Sequence, residues 1–599
     1  MCIVNPIDTM MNICQIDPPC WFTGMKHHEL QLLVYGTDLK KVNVSTTLPH
    51  IFLDIHEGAT PYSFFIHITL SEEAQPGTYT INFEKDHLQQ QWTYKLLERR
   101  IWSAEKSSTI NSADVIYLIM PDRFALDELK VTASKEKERQ ANEWHGGSLN
   151  GLSQHLSYLE ELGVTALWLT PVLENKVSPI HANGNIYDSY HGYSITDFYA
   201  IDPHFGTLAD YQQLIHKAHQ HGLKIIADLV FNHCSHRHKW LKHPPIKGWF
   251  KESNVHKARK TNYCLTTLFD PYASTYDRQN TVDGWFTDHM PDLNLQNQQV
   301  WQYLTQMTIW WIETTGIDAI RMDTFLYADS EGMWKWLQYI DQEYPGFSIL
   351  AEAWVGEAAY TAQVQRAAQA HTHSRAPLVV MDFAFRERML ECFSQKQLYA
   401  KEGSLYNHFV YDFLYPTPQQ TLAFLDNHDT ARWFSTARSV AKQKQAIGLL
   451  LTCPRIPQLF YGTEIGLPGD GKGTGDGNYR QDFFDKFNPS QRSHAENVLF
   501  SYVQKLLHWR KHSQAICHGS MKHFIPQQGV YVYFRTYLQE KVMIIANLTT
   551  HQQTIWLAPY EEELNGLTLG KDVISQQYIS LQTSSLLLKS NQLFILELA

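Results

Sequence analysis

At 599 residues the chain exceeds one ordinary domain, and length alone suggests about four, although a large α/β barrel absorbs much of such a length as one unit. Hydrophobic residues make up 44% and charged residues 19%, which excludes a disordered chain and requires a packed core. The formal net charge of -11 excludes the basic footprint of a nucleic-acid binder, and no stretch approaches the roughly 20 uncharged apolar residues of a membrane span.

The first eight residues, Met-Cys-Ile-Val-Asn-Pro-Ile-Asp, lack a basic region followed by an apolar run, so no signal peptide is visible and the expected location is cytoplasmic. The eight cysteines (Cys2, Cys14, Cys20, Cys234, Cys264, Cys392, Cys453, Cys517) include no Cys-x-x-Cys pair; reduced or buried thiols are expected rather than a disulfide framework. Residues 1–110 carry short alternating or β-branched runs (Leu30–Tyr35, Tyr62–Leu70, Gly77–Phe83) separated by turn material, and predict a small β-sandwich. The polar segment Glu105 to Ala113 is the expected linker out of it.

From Asp114 the texture changes to apolar strands alternating with amphipathic segments. Strands are expected at Val115–Pro121, Ala166–Val172, Lys224–Phe231, Ala319–Phe325, Ser348–Trp354, Val379–Phe385, Thr421–His428 and Gln458–Glu464, with helices such as Gly151–Leu162, Leu208–His221 and Gln299–Thr314 between them. Eight strands with intervening helices predict an α/β fold, a parallel (β/α)8 TIM barrel over residues 111–514. The stretch 233–297 is too long for a plain connection and predicts an excursion subdomain after the third strand. Residues 515–599 return to short β runs and predict a C-terminal β-sandwich.

In such a barrel, chemistry sits at the carboxyl ends of the strands. The third strand ends Asp228-Leu-Val-Phe-Asn232-His233 and the fourth Arg321-Met-Asp323; the fifth ends Ala-Glu352-Ala-Trp354 and the seventh Asp426-Asn-His428-Asp429. Arg321 and Asp323 project from one side of an extended strand. An isolated Arg-x-Asp reads as a structural ion pair, but four such strand ends crowd acids, an arginine and histidines into one mouth. Carboxylates converging without metal-ligand spacing suit acid/base and covalent work at a glycosidic bond. The run His233-Cys-Ser-His236-Arg-His238 fits no standard zinc spacing, and Gly469–Gly477 is no phosphate loop; no metal site is assigned from either.

These segments resemble the four catalytic regions of the α-amylase family of glycoside hydrolases, in order and spacing. Val115-Ile-Tyr-Leu-Ile-Met-Pro-Asp-Arg-Phe124, Tyr190-His-Gly-Tyr193 and Phe460-Tyr-Gly-Thr-Glu464 support the likeness. The sandwich before the barrel and Met290-Pro-Asp-Leu-Asn294 are similar to the neopullulanase/cyclomaltodextrinase branch, many of whose members have lysine at the position of Asp292. The resemblance implies Asp323 as nucleophile beside Arg321, Glu352 as general acid then base, and Asp429 as the carboxylate that steadies the oxocarbenium-like transition state. It implies that His191, His233 and His428 bond the same sugar, that Tyr193 stacks beneath it, and that Asp228 holds Arg321. Trp354 is a candidate platform on the leaving-group side, and Trp285 and Phe286 are candidates to stack on a glucan. Asp476 and Arg480 match a pair that grips the next sugar, though at i,i+4 they also fit a surface ion pair.

The implied activity is a retaining hydrolase of α-1,4 bonds in maltooligosaccharides, cyclomaltodextrins or pullulan. A transglycosylase with the same residues, or a non-catalytic glucan-binding relative, are the alternatives. No cofactor is required. Calcium is used by many relatives, but Ala125-Leu-Asp-Glu-Leu-Lys-Val-Thr132 and Ser148 lack the oxygen ligands of one family site, and Tyr327 stands where a second site, shared with Asn232, has histidine. The expected partner is an α-glucan oligosaccharide, with no nucleic acid and no membrane, and the N-terminal domain is the expected contact of a homodimer. Similarity to bacterial starch-utilisation enzymes makes the periplasm the alternative location.

Overall fold

The computed structural model describes residues 10–100, 110–127, 139–175, 179–182, 185–251, 260–372, 378–393, 405–472 and 475–599. Most of the segments 105–113 and 125–132 singled out in the sequence therefore lies outside the described residues. Two four-stranded sheets make the N-terminal sandwich. One orders Asn12–Asp17, Glu29–Thr37, Ser63–Leu70 and His50–Glu57; the other orders Trp21–Thr23, Leu88–Glu98, Gly77–Lys85 and Asn43–Thr46. The strand Ser63–Leu70 is buried on both faces because neighbouring side chains alternate. Phe64 turns inward to Phe83 of the other sheet, and Phe65 turns outward to Trp249 of the excursion.

That outward contact seats the sandwich on its own barrel. Gln31 and Gln306 exchange buried amide bonds of 2.8 Å in both directions. Trp240 Nε1 donates to Tyr35 Oη at 2.7 Å, Tyr303 Oη donates to Asp17 at 3.0 Å, and Arg99 meets Glu343 at 3.0 Å. Such paired buried polar groups fix the orientation of the two domains, since breaking one leaves an unsatisfied partner.

The barrel strands are β1 (Ile116–Ile119), β2 (Ala166–Leu169), β3 (Lys224–Val230), β4 (Ala319–Asp323), β5 (Ser348–Ala351), β6 (Val379–Met381), β7 (Thr421–Phe424) and β8 (Ile456–Phe460). They form a closed parallel barrel, β1 pairing with both β2 and β8. Helices follow where the sequence supplies caps. Thr207 and Asp210 form a reciprocal capping box before Leu208–Gln220. The helix Gln298–Thr315 starts on Asn297 and stops at Gly316, whose φ of 77° an L side chain rarely adopts. The predicted helix 151–162 is instead two short ones, Leu149–Gln154 and Leu156–Leu162, broken at His155.

The predicted strands all overrun at their carboxyl ends. The chain leaves the ladder there to present side chains: Val379–Phe385 pairs only to Met381, and Phe383 already opens the helix Phe383–Phe393. Between β3 and β4 the excursion is mostly irregular, with the helix Thr275–Val282 and isolated bridges such as His233 to Asp292. The C-terminal unit pairs a six-stranded sheet with the hairpin-like pair Gln553–Trp556 and Ser585–Leu588 around Val532, Phe534, Met543, Ile545 and Leu588. Cys20, Cys234, Cys264, Cys392, Cys453 and Cys517 are free thiols. Cys14 is disulfide-bonded, the exception among the described cysteines to the expected reduced or buried thiols. No helix among the described residues is long and apolar enough to cross a membrane.

Candidate active site

The parallel register sets the site. Asp228 on β3 lies beside Arg321 on β4, and Val230 beside Asp323, so the arginine is met by a carboxylate across the sheet and by another two residues along its own strand. Arg321 is fully buried. Its Nη1 donates to Asp228 Oδ1 at 2.9 Å and to Asp323 Oδ1 at 2.8 Å, and its Nη2 lies 2.9 Å from Glu352 Oε2. One guanidinium therefore ties together carboxylates from three strands, which offsets the cost of burying it. Asp228 also accepts from Trp168 Nε1 at 3.0 Å and from Tyr193 Oη at 2.8 Å.

Thr324 follows Asp323 with φ of 46°, a strained conformation for a β-branched residue. The bend turns its N–H to Glu352 Oε2 (2.7 Å) and its hydroxyl to Asp323 Oδ2 (2.9 Å). Both carboxylates are thus gripped by the same residue. Burial is the largest influence on Glu352, and it pushes the carboxyl up to about 8; Asp323 and Asp429 add to the rise against the pull of Arg321. An acid held protonated near neutrality is the form needed to give a proton. Burial also raises Asp429, and Arg480 opposes it from 3.0 Å.

The histidines are neutral donors and acceptors. Burial pushes His191 down to about 3 and lowers His233; it takes His428 well below its ordinary range, with Arg480 adding to the shift in His191 and His428. His428 Nε2 is 2.7 Å from Tyr193 Oη and 3.1 Å from Asp429 Oδ2. The Tyr193 hydroxyl is committed to Asp228, so Nε2 carries the proton. Gly192, at φ of 89°, lets His191 and Tyr193 turn tightly over Pro171, whose carbonyl oxygen would lie 2.0 Å from any Cβ there. His233 stacks on Phe286 at 5.1 Å, and its ring lies buried against the cleft with Tyr193 as a backbone neighbour.

These groups face a cleft of about 430 Å³. All the predicted site residues line it except Asp228 and Arg321. Those two lie behind the carboxylates, bonded to each other at 2.9 Å, and face no substrate there. Trp354, 49% exposed, stacks one face on Phe383 at 4.7 Å. Asp476 and Arg480 do form the i,i+4 ion pair, at 3.2 Å, but Arg480 is buried and also bonds the His428 carbonyl, so the pair belongs to the cleft wall rather than to the surface. Phe286 lines the cleft, whereas Trp285 does not. The cleft further contains Tyr263, Thr287, Met290, Thr324, Tyr327 and Tyr479. Tyr479 is legible as the neighbour of Arg480; Tyr263 comes from an irregular part of the excursion and has no signal in the sequence.

Residues 118–481 match the family model for the α-amylase catalytic domain; residues 15–100 and 521–597 match the cyclomaltodextrinase N-terminal and cyclo-malto-dextrinase C-terminal domains. The chain is 25% identical over 502 residues to the cyclomaltodextrinase of Thermoanaerobacter pseudethanolicus, covering 81% of this chain and 77% of that one. It is 28% identical to a cyclomaltodextrin glucanotransferase of a Bacillus species, covering 78% of this chain and spanning only 64% of the glucanotransferase. Among solved structures, an Anoxybacillus α-amylase superposes with a TM-score of 0.67 at 28% identity, over 82% of this chain and 98% of that one. With more than half its length matched by the catalytic-domain model, the chain belongs to the α-amylase family of glycoside hydrolases.

Proposed function

We propose that the protein hydrolyses α-1,4-glucosidic bonds of maltooligosaccharides, cyclomaltodextrins or pullulan through a covalent glycosyl-enzyme intermediate. The observation that carries this reading is the Arg321 guanidinium touching Asp323 through one nitrogen and Glu352 through the other. A shared guanidinium brings the two carboxyls together, and direct attack on the anomeric carbon requires them about 5–5.5 Å apart. Asp323 attacks and forms the bond to that carbon, while Glu352 gives its proton to the departing glycosidic oxygen. Glu352 then takes a proton from the incoming water, which breaks the Asp323 ester with net retention. Asp429 and His428, 3.1 Å apart, bond the hydroxyls of the same ring, together with His233. Trp354 offers its uncovered face to a sugar beyond the scissile bond.

A sugar hydroxyl reaching the intermediate in place of water makes the same site a glucanotransferase. Initial rates on β-cyclodextrin, pullulan and soluble starch, with product analysis from maltoheptaose at rising glucose or maltose, test both readings. The hydrolase releases reducing ends in proportion to bonds lost and lengthens no chain; oligosaccharides longer than maltoheptaose under these conditions would mark transfer as the main outcome. Equal, negligible release by the native protein and Glu352→Gln would mark a glucan-binding protein instead.

A further inference from the structure

Lys251 lies in the excursion after β3 and is only 8% exposed. Its ammonium donates to the carbonyl oxygens of Val282 and Tyr327, the latter at 3.2 Å, and sits 3.5 Å from Asp292 Oδ2. Three acceptors saturate the three donors of an ammonium. The oxygens come from separate parts of the chain. Val282 ends the helix Thr275–Val282 of the excursion, while Tyr327 lies in the turn after β4, four residues beyond Asp323. Asp292 is held from its other side by Asn232 Nδ2 at 3.1 Å and by the Phe286 N–H at 2.8 Å. The Lys251 N–H closes the cage on the Asp292 carbonyl at 3.0 Å.

Two carbonyls and a carboxylate around one buried point make a cation site, with Asn232 behind the carboxylate as its hydrogen-bond donor. This is where the resemblance to the family places a calcium ion, through Asn232 and the residue at 327. The residues present do not fit calcium. A divalent ion would have to enter beside an ammonium, against like charge, or strip that buried ammonium of all three partners, and an uncompensated buried charge is strongly destabilising. We propose that Lys251 is itself the cation of this site: its tethered ammonium clamps the excursion to the turn behind Asp323 and leaves no place for calcium.

The test compares the native protein with Lys251→Ala, each dialysed against EDTA or calcium chloride, then assayed for bound calcium by elemental analysis and for thermal unfolding. The native protein is expected to keep no stoichiometric calcium and to unfold at the same temperature in both buffers. Lys251→Ala is expected to unfold several degrees lower in EDTA, and in calcium chloride to take up about one ion per chain and recover part of the loss. Native protein that retains about one calcium per chain, with unfolding temperature falling when EDTA removes it, would overturn the proposal. So would a Lys251→Ala protein as stable in EDTA as the native one. The native arm decides by itself if the alanine variant does not fold.

Discussion

The backbone N–H of Thr324 donates to Glu352 Oε2 at 2.7 Å, and the same residue's hydroxyl donates to Asp323 Oδ2 at 2.9 Å. A strained turn at φ 46° makes both bonds possible at once. Removing the hydroxyl in Thr324→Ala leaves the N–H bond but frees one oxygen of Asp323. A hydrogen bond to a charged group is worth about 1.5–3 kcal/mol, so kcat is expected to fall roughly 10- to 100-fold with KM nearly unchanged. Thr324→Ser restores the donor and is expected to recover most of kcat; steady-state kinetics on a maltooligosaccharide would show whether it does.

Glu352 supplies a pH prediction with a definite sign. Its carboxyl titrates at about 8 when folded, against 4.5 ordinarily, with burial the largest cause. The folded state therefore holds this proton more tightly than the unfolded chain. The stability linked to it is complete below 4.5 and is lost as pH rises through about 8. Glu352→Gln has no proton to lose, so its unfolding temperature is expected to gain on the native one across that window and then level off. A constant difference from acid to alkaline pH would refute the assignment. For the native enzyme the same titration predicts an alkaline limb of kcat/KM near pH 8, as the proton donor ionises.

Asp228 touches no cleft, yet it takes Arg321, Trp168 and Tyr193 together. Asp228→Asn puts an amide donor against the guanidinium and removes a buried counter-charge. A stability loss of about 3 kcal/mol is expected in urea unfolding, together with a loss of activity as Arg321 and Tyr193 shift. A native denaturation midpoint would show that the three contacts are dispensable.

Trp354 is half exposed and rests on Phe383. Trp354→Ala is expected to leave the unfolding temperature unchanged and to raise KM several-fold, because it removes a stacking surface and little of the core. An unaltered KM on maltoheptaose would take Trp354 out of the binding surface.

Most of the barrel was legible because its strands are buried on both faces and read as short apolar runs, Ile116–Ile119 and Ala166–Leu169 among them. The site was legible where chemistry sits at a strand end, as with Arg321 and Asp323, since charges in an apolar run need a reason. What escaped is what depends on distant partners. Nothing local marks Thr324 as strained, and its conformation follows from a carboxylate on the next strand. Lys251 reads as one more lysine until Val282 and Tyr327 are brought to it from 31 and 76 residues away. The strand ends were overrun because Phe383 and Thr463 are as apolar or β-branched as strand residues, while their backbones already turn.

The most direct measurement is mass spectrometry of peptides after reaction with a slow fluorinated maltosyl fluoride, whose fluorine retards hydrolysis of the intermediate more than its formation. The expected result is one glycosyl adduct on the peptide bearing Asp323, absent in Asp323→Asn. An adduct on another residue, or turnover of the unfluorinated maltosyl fluoride with inversion at the anomeric carbon, would contradict the assignment of Asp323 as the nucleophile.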